Sequence, residues 1–379
     1  MAKISRRQFV QNSLHTAVRI GAGAALLPTI GGSAPGKQAV KPTRPRLRVA
    51  QIGTTHAHAE GKMLALRALP DLYEVIAVAE TNIARRQQLS GSKIFGDLKW
   101  LEVEALLELP DLDIVLIETG IDEAPEMTRR ALAAGKHVHL DKPGARHHSE
   151  FAAIRNLAEE RGLILQMGYM LRHLPIMEFM FKIVREGWLG EVLEIESSMS
   201  RTGEDWWFEK LAQLPGGGMF ELGCHLIDLI ITVLGKPQAI HAVSTPSKRG
   251  INAGAEDNQL AIFEYPASNA TVRINCNDPF GMPRRRFIVT GTEGTIEIAQ
   301  LESGSARLML LHDRPGYAAG NHDLEMPYQY GRYGGEFIAL ASAIQGGPAL
   351  PWDADHDIAV HAATLRASGR TVLPGVAGE

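Results

Sequence analysis

The sequence predicts an α/β chain: a doubly wound parallel sheet of the Rossmann type, followed by an α+β unit with an open, largely antiparallel sheet. Three observations predict it. Between residues 46 and 168, short apolar runs alternate with helical periodicity, the rhythm of right-handed βαβ crossovers. After Tyr169 the rhythm changes to successive strand-like runs joined by Gly or Asn turns, which suits antiparallel pairing. The 379 residues, 45% hydrophobic and 22% charged, are enough for two domains with sizeable cores.

The first residues read separately. "SRRQFVQ" (5–11) pairs Arg6 with Arg7 and places Phe9 and Val10 just after them; the weakly apolar "AVRIGAGAALLPTIGG" follows. Gly32 and Ala34 suit a signal-peptidase cut after Ala34. This order resembles a twin-arginine export signal over residues 1–34; a short amphipathic helix is the plainer alternative. The expectation is a periplasmic protein carried by the twin-arginine translocation machinery, a route for chains already folded around a tightly held cofactor. The apolar run is too short, and too interrupted by Arg19, to anchor in a bilayer, and no later stretch is long enough to span one. Residues 35–45, rich in Pro and basic side chains, read as a linker. A net charge of −4, from 39 basic and 43 acidic residues, gives no electrostatic reason for a nucleic-acid partner. The basic "PRRRF" (283–287) reads as a solvated strand edge. Cys224 and Cys276 allow at most one disulfide, so the core must hold the fold.

In the first domain, residues 46–168, strands are expected at 47–53, 74–80, 113–119, 137–141 and 163–168. Helical stretches between them include "WLEVEALLEL" and "APEMTRRALAAG", the latter closing on Gly135 as a C-cap. The second domain, residues 169–379, opens with the helix "PIMEFMFKIVREG", the strand-like "EVLEIESSMSR" and a helix over 217–234. The runs "AIHAVST", "NQLAIFEY", "ATVRINC", "RRFIVTG", "TIEIAQ" and "ARLMLL" follow. Two helices, about 335–345 and 354–368, close the chain and are expected to pack back on the first domain.

Ligands of a doubly wound sheet bind beyond the carboxyl ends of its strands, and four segments end there. In "IGTTHAHAEG", Gly53 permits the tight turn and the following helix offers free N–H groups to a pyrophosphate, but Thr55 and His58 stand where G-x-G-x-x-G requires glycine. Glu80 closes the next strand, 27 residues after Gly53. It is either a ribose 2′-hydroxyl partner, which favours NAD over NADP, or a solvated strand end. In "HVHLDKPG", His137, His139 and Asp141 share one strand face, and Lys142, fixed by Pro143, is placed to bond a sugar hydroxyl; packed histidines are the bland reading. In "PGGGMFELGCHLIDLI", Glu221, His225 and Asp228 fall at i, i+4 and i+7 of one helical stripe, where ionisable groups are costly without partners or function. The Glu–His pair suits acid/base work, with metal ligation the alternative.

Taken together, "IGTTHAH", "DKP" and "GGGMFELGCHLID" resemble the Gfo/Idh/MocA family of sugar and cyclitol oxidoreductases, whose members show E-K-P and then G-G-G…D-x-x-x-H-x-x-D. "GYMLRHLP", "EGWLGEV" and "GGEFIALASAIQGG…DIAVHAATLRASG" extend the resemblance across 46–369. It implies an active site between the two domains. Lys142 then positions or helps deprotonate the reacting hydroxyl, His225 is the acid/base, and Glu221 takes the place of its partner Asp. Gly53, Thr54, Thr55, His56, Glu80, Thr119, Asp141 and Lys142 fall to the cofactor, and Tyr169, Arg172, Asp228 and His58 to the substrate. The implied activity is hydride transfer between tightly bound NAD (NADP is less favoured) and a ring carbon of a sugar or cyclitol, in a dimer or tetramer. Departures from the pattern are Asp141 for Glu, Glu221 for Asp, Thr55 and His58 for loop glycines, and Pro125 for the His of the segment that here reads "TGIDEAP". They leave two alternatives: a non-redox lyase or hydratase in which His56, His58, Glu221 and His225 hold a divalent metal or move protons, and a sugar-binding protein without cofactor.

Overall fold

The structure, a computed structural model, describes residues 45–246 and 254–372; the expected export signal and residues 35–44 of the expected linker lie outside the described residues. The first unit runs β1 (Leu47–Ile52), α1 (Ala59–Arg67), β2 (Tyr73–Ala79), α2 (Ile83–Leu89), β3 (Lys99–Trp100), α3 (Val103–Leu107), β4 (Ile114–Ile117), α4 (Ala124–Ala133), β5 (His137–Leu140), α5 (His148–Glu160) and β6 (Leu165–Met167). Its six strands are all parallel, in the order β3-β2-β1-β4-β5-β6. The order reverses between β1 and β4, which opens a crevice at their carboxyl ends. β4 and β5 are buried along their whole length, so no polar–apolar alternation marks them in the sequence. Pro125 sits in the first turn of α4, where its missing N–H costs no hydrogen bond.

The second unit runs α6 (Pro175–Arg185), β7 (Val192–Ser198), α7 (Asp205–Gln213), α8 (Cys224–Leu234), β8 (Ala239–Pro246), β9 (Glu256–Glu264), β10 (Asn269–Asn275), β11 (Arg286–Gly291), β12 (Gly294–Ile298), β13 (Ser305–Leu310), β14 (Gly320–Glu325), α9 (Gly331–Ile344) and α10 (Ala354–Ala367). Its eight strands lie in the order β14-β13-β12-β11-β7-β10-β9-β8, antiparallel except for the parallel β7–β10 pair. β9 alternates strictly: Asp257, Gln259, Ala261 and Phe263 are buried, whereas Ile262 and Glu264 are exposed. One face of this sheet is therefore the core, covered by α8 and α10.

The last helices tie the two units together. α9 packs on α1, and α10 packs on α5 and α8. Tyr73 donates its hydroxyl to Phe337 O at 2.6 Å, and Gln166 Nε2 donates to Glu336 O at 3.0 Å.

Four elements exceed the sequence expectation. β3 and β14 are edge strands, one too short and one too polar to show periodicity. α2 is announced only by Asn82, whose side chain accepts from Arg85 N. α7 buries Trp207, Phe208 and Leu211 on one face. The helix expected over 217–234 starts differently: Met219–Gly223 forms a π turn before α8. Gly217, at φ 52°, comes so close to β9 that a Cβ would meet Glu256 O at 2.0 Å.

Candidate active site

The β1–α1 loop is fixed before it can meet any ligand. Gly53 has φ 84°, and a Cβ there would lie 2.5 Å from Thr119 Cγ2 and 2.7 Å from Thr119 N, so only glycine lets β1 end this close to β4. Thr54 donates its backbone N–H and its hydroxyl to Glu80 Oε2, at 2.8 and 2.5 Å; Glu80 Oε1 accepts from Asn82 N at 2.9 Å. The acid at the end of β2, read from the sequence as a ribose partner or a solvated strand end, is buried and braces the loop in this structure. Arg85 adds a second clasp, donating to Thr54 O at 3.0 Å. Thr55 is left exposed at the tip.

A cleft opens beside this loop. Thr55, His56 and Ala57 line one wall, Thr119, Gly120 and Ile121 the next, and Asp141, Lys142 and Pro143 the floor; Lys210, Leu214 and Glu221 reach in from the second unit. The residues fit a dinucleotide: the carboxyl ends of β1 and β4 border the cleft, the start of α1 stands behind it, and Gly120 has open space where a Cβ would project.

Lys142 directly follows Asp141 at the end of β5 and is buried. Its Nζ donates to Glu221 O at 2.7 Å and stands 3.2 Å from Glu221 Oε1. Burial opposes the charge on Lys142, but Glu221, Cys224 and Asp141 together outweigh it and keep the amine protonated. Glu221, against its own burial, is held at about 2 by Lys142 and Lys210. The acid that the family pattern pairs with His225 is therefore turned to two lysines, the π turn having rotated it away from the regular helical stripe. His225 is buried edge-on to the Tyr169 ring, 5.8 Å between centroids, and its Nδ1 has no hydrogen-bond partner among the described residues. Burial and the neighbouring Lys142 push it well below the usual histidine value, so it is a neutral proton acceptor.

Beneath the loop lies a cluster that the sequence reading resolved only in part. Asp141 Oδ2 faces His56 Nδ1 at 3.1 Å, His58 Nδ1 at 3.0 Å and Lys62 Nζ at 3.1 Å, while Oδ1 accepts from Lys142 N at 2.7 Å. Lys62, on α1, is fully buried and also meets His139 Nε2 at 2.6 Å and Glu336 Oε1 at 3.5 Å. His139 passes its other nitrogen to Gln166 Oε1 at 2.9 Å; His137 sits at the far end of β5, accepting from Ile164 N. Burial pulls His56 down, but Asp141 and Glu118 more than reverse it, to about 9; for His58 burial prevails, to about 4. Burial pushes Glu118 up and carries Glu336 to about 7. Lys62, Glu118 and Glu336 were missed in the sequence; the signals were the i, i+4 spacing of His58 and Lys62 and the Glu that closes the apolar run of β4.

Two residues expected near the substrate are occupied elsewhere. Arg172, just after β6, donates through Nε and Nη2 to both oxygens of Asp228 at 2.9 and 2.5 Å, and through Nη2 to Asp357 Oδ1 at 2.7 Å. Arg155 completes the pairing at 3.1 Å from Asp357 Oδ2, and His356 Nε2 lies 2.9 Å from Asp228 Oδ1. The four groups envisaged for a metal do not assemble either. The group among the described residues that could hold an ion is His56, His58 and Asp141, without Glu221 or His225.

Known proteins were compared with this fold and site. The profile of an oxidoreductase family with an NAD-binding Rossmann fold matches residues 47–169, and that of the GFO/IDH/MocA C-terminal domain matches 178–297. A dTDP-3,4-didehydro-2,6-dideoxy-alpha-D-glucose 3-reductase of Streptomyces violaceoruber is 26% identical, over 71% of this chain and 78% of its own. A D-xylose 1-dehydrogenase (NADP(+)) of Haloferax volcanii is 27% identical, over 57% of this chain and 66% of its own. A levoglucosan dehydrogenase solved with NADH and levoglucosan shares the fold with a TM-score of 0.74 and 19% identity, over 86% of this chain and 97% of that one.

Proposed function

Because the chain belongs to the Gfo/Idh/MocA family of oxidoreductases, we propose that it moves a hydride between a nicotinamide dinucleotide and a ring carbon of a sugar or cyclitol, after export to the periplasm. One observation carries the reading. Lys142 stands protonated at the end of β5, on the floor of the cleft, with the dinucleotide-type loop on one side and Glu221 of the second unit on the other.

The bound nicotinamide supplies the hydride acceptor or donor. The chain's own groups handle the proton. The Lys142 ammonium donates a hydrogen bond to the substrate oxygen and fixes its position. His225, neutral, takes the hydroxyl proton at Nδ1 when the alcohol is oxidised and returns it when a carbonyl is reduced. Tyr169 backs the imidazole and holds its plane. Glu221 keeps Lys142 charged and aimed into the cleft.

NAD is the favoured dinucleotide, since the Glu80 carboxylate at the end of β2 repels a 2′-phosphate; Arg85, beside it, offsets that repulsion. Free nicotinamide is scarce outside the cytoplasm, so the cofactor stays bound and is recycled in the site. A homo-oligomer forms on the outer face of the second sheet, where Val243 and Ile262 are exposed.

The protein purified from an export-blocked form is expected to release nicotinamide dinucleotide on denaturation, identified by mass spectrometry. Failure to release any, together with failure to bind NAD or NADP on titration, overturns the reading. Replacing Arg6 and Arg7 by Lys is expected to leave full-length precursor in the cytoplasm; unchanged export of that variant overturns the periplasmic assignment.

A further inference from the structure

We infer that His56, His58, Asp141 and Glu118 form a binding site for one divalent transition cation of the zinc type, set beneath the β1–α1 loop.

The donor atoms converge. His56 Nδ1, His58 Nδ1 and an Asp141 oxygen all lie within 4.8 Å of one another. The individual separations are 3.1 Å from His56 Nδ1 to Asp141 Oδ2, 3.0 Å from His58 Nδ1 to the same oxygen, and 3.4 Å from His56 Nδ1 to Glu118 Oε2. Ligands about 2.05 Å from a tetrahedral zinc stand roughly 3.3 Å apart, which these three separations approach. Two imidazoles with carboxylates suit zinc and its first-row neighbours better than the all-oxygen cations calcium and magnesium.

A second, independent observation comes from Glu118. Its side chain is fully buried, yet neither carboxylate oxygen has a hydrogen-bond partner among the described residues. The nearest cationic groups stand off, Lys62 Nζ at 3.8 Å from Oε1 and His56 Nδ1 at 3.4 Å from Oε2, so no donor closes on either oxygen. Oε2 is aimed at His56 Nδ1.

The local charge points the same way. Asp141, Glu118 and Glu336 are three buried carboxylates around one buried ammonium, that of Lys62. When bound, a divalent cation takes the place of the proton on His56 and pairs with Asp141 and Glu118. Lys62 then stands behind Asp141 as an outer partner that orients the carboxylate.

The site also accounts for the sequence of the loop. Glycines at 55 and 58 bring backbone close to a pyrophosphate, but histidines at 56 and 58 bring two donors to the ends of β4 and β5. A cation there fastens the loop to both strand ends. The site shares His56 and Asp141 with the cleft of the redox reading.

The test uses the full chain, dialysed against a chelator and then titrated with zinc and, separately, with cobalt. The expected result is about one equivalent bound per chain, with a cobalt d–d absorption band typical of nitrogen and oxygen ligands. His56→Ala and His58→Ala are each expected to weaken binding at least about a hundredfold and abolish that band. Glu118→Gln, a change of nearly equal volume, is expected to weaken it about tenfold and serves if a histidine variant does not fold. No stoichiometric uptake by the unaltered protein overturns the site, as does uptake that all three variants retain. NADH binding is measured on the same samples: binding of NADH without metal refutes this site alone, and binding of metal without NADH or NADPH refutes the redox reading alone.

Discussion

Two buried charge clusters, one around Arg172 and one around Lys62, are built on opposite principles. Around Arg172, two arginines face two aspartates, and Arg172 satisfies both Asp228 oxygens at once. Around Lys62, three carboxylates face one ammonium, and two of them, Glu118 and Glu336, keep both oxygens without hydrogen bonds. The first cluster joins the end of β6 to α5, α8 and α10 and is closed on itself. The second borders the cleft, and Glu118 and Glu336 are faced by Lys62 and His56 without a hydrogen bond that closes on them. Carboxylates closed by paired hydrogen bonds mark a fastening; carboxylates left without them mark a place where something binds or a proton moves.

The largest expected effect falls on the closed cluster. Arg172→Ala removes the one group that hydrogen-bonds both Asp228 and Asp357 and is expected to cost about 3–5 kcal/mol in urea unfolding. A loss below about 1 kcal/mol would mean that the cluster does not fasten the units. Next come the groups at the cleft. Lys142→Ala and His225→Ala are each expected to lower turnover by roughly a hundredfold or more while dinucleotide affinity is kept. If substrate affinity alone falls, they bind and do not handle the proton.

Glu80→Ala comes third. It orphans the Thr54 N–H, and NADH affinity is expected to fall about tenfold while the bias against NADPH relaxes. Unchanged affinity for both would remove the loop brace from the account. The smallest effect is expected from Glu336→Gln. Burial carries this carboxyl to about 7, so a neutral amide is expected to cost under about 1 kcal/mol. A cost equal to that of Arg172→Ala would erase the contrast between the clusters.

The parallel strands were legible because their apolar runs end on Gly, Glu and Asp at a fixed rhythm, and the second sheet because β9 and its neighbours alternate. The cleft and Lys142 followed from that order. The role of Glu80 did not, since its direction depends on Thr54, a residue 26 positions away. Lys62 stayed hidden because a lysine on an amphipathic helix reads as solvent-facing, and only α9, far along the chain, buries it. Of the stripe Glu221, His225 and Asp228, the last two lie together in α8, meeting the Tyr169 ring and Arg172, while the π turn carries Glu221 to Lys142, which helical spacing alone does not show.

The central claim is that the β1–α1 loop and the cleft beside it hold a nicotinamide dinucleotide. Fluorescence titration with NADH tests it most directly, on the unaltered protein and on Gly53→Val. The unaltered protein is expected to bind one dinucleotide per chain. The variant, whose Cβ would enter the 2.5 Å space beside Thr119 at a φ of 84°, is expected to bind at least about tenfold more weakly. Equal binding by the two proteins, or no binding of NADH or NADPH by either, would contradict it.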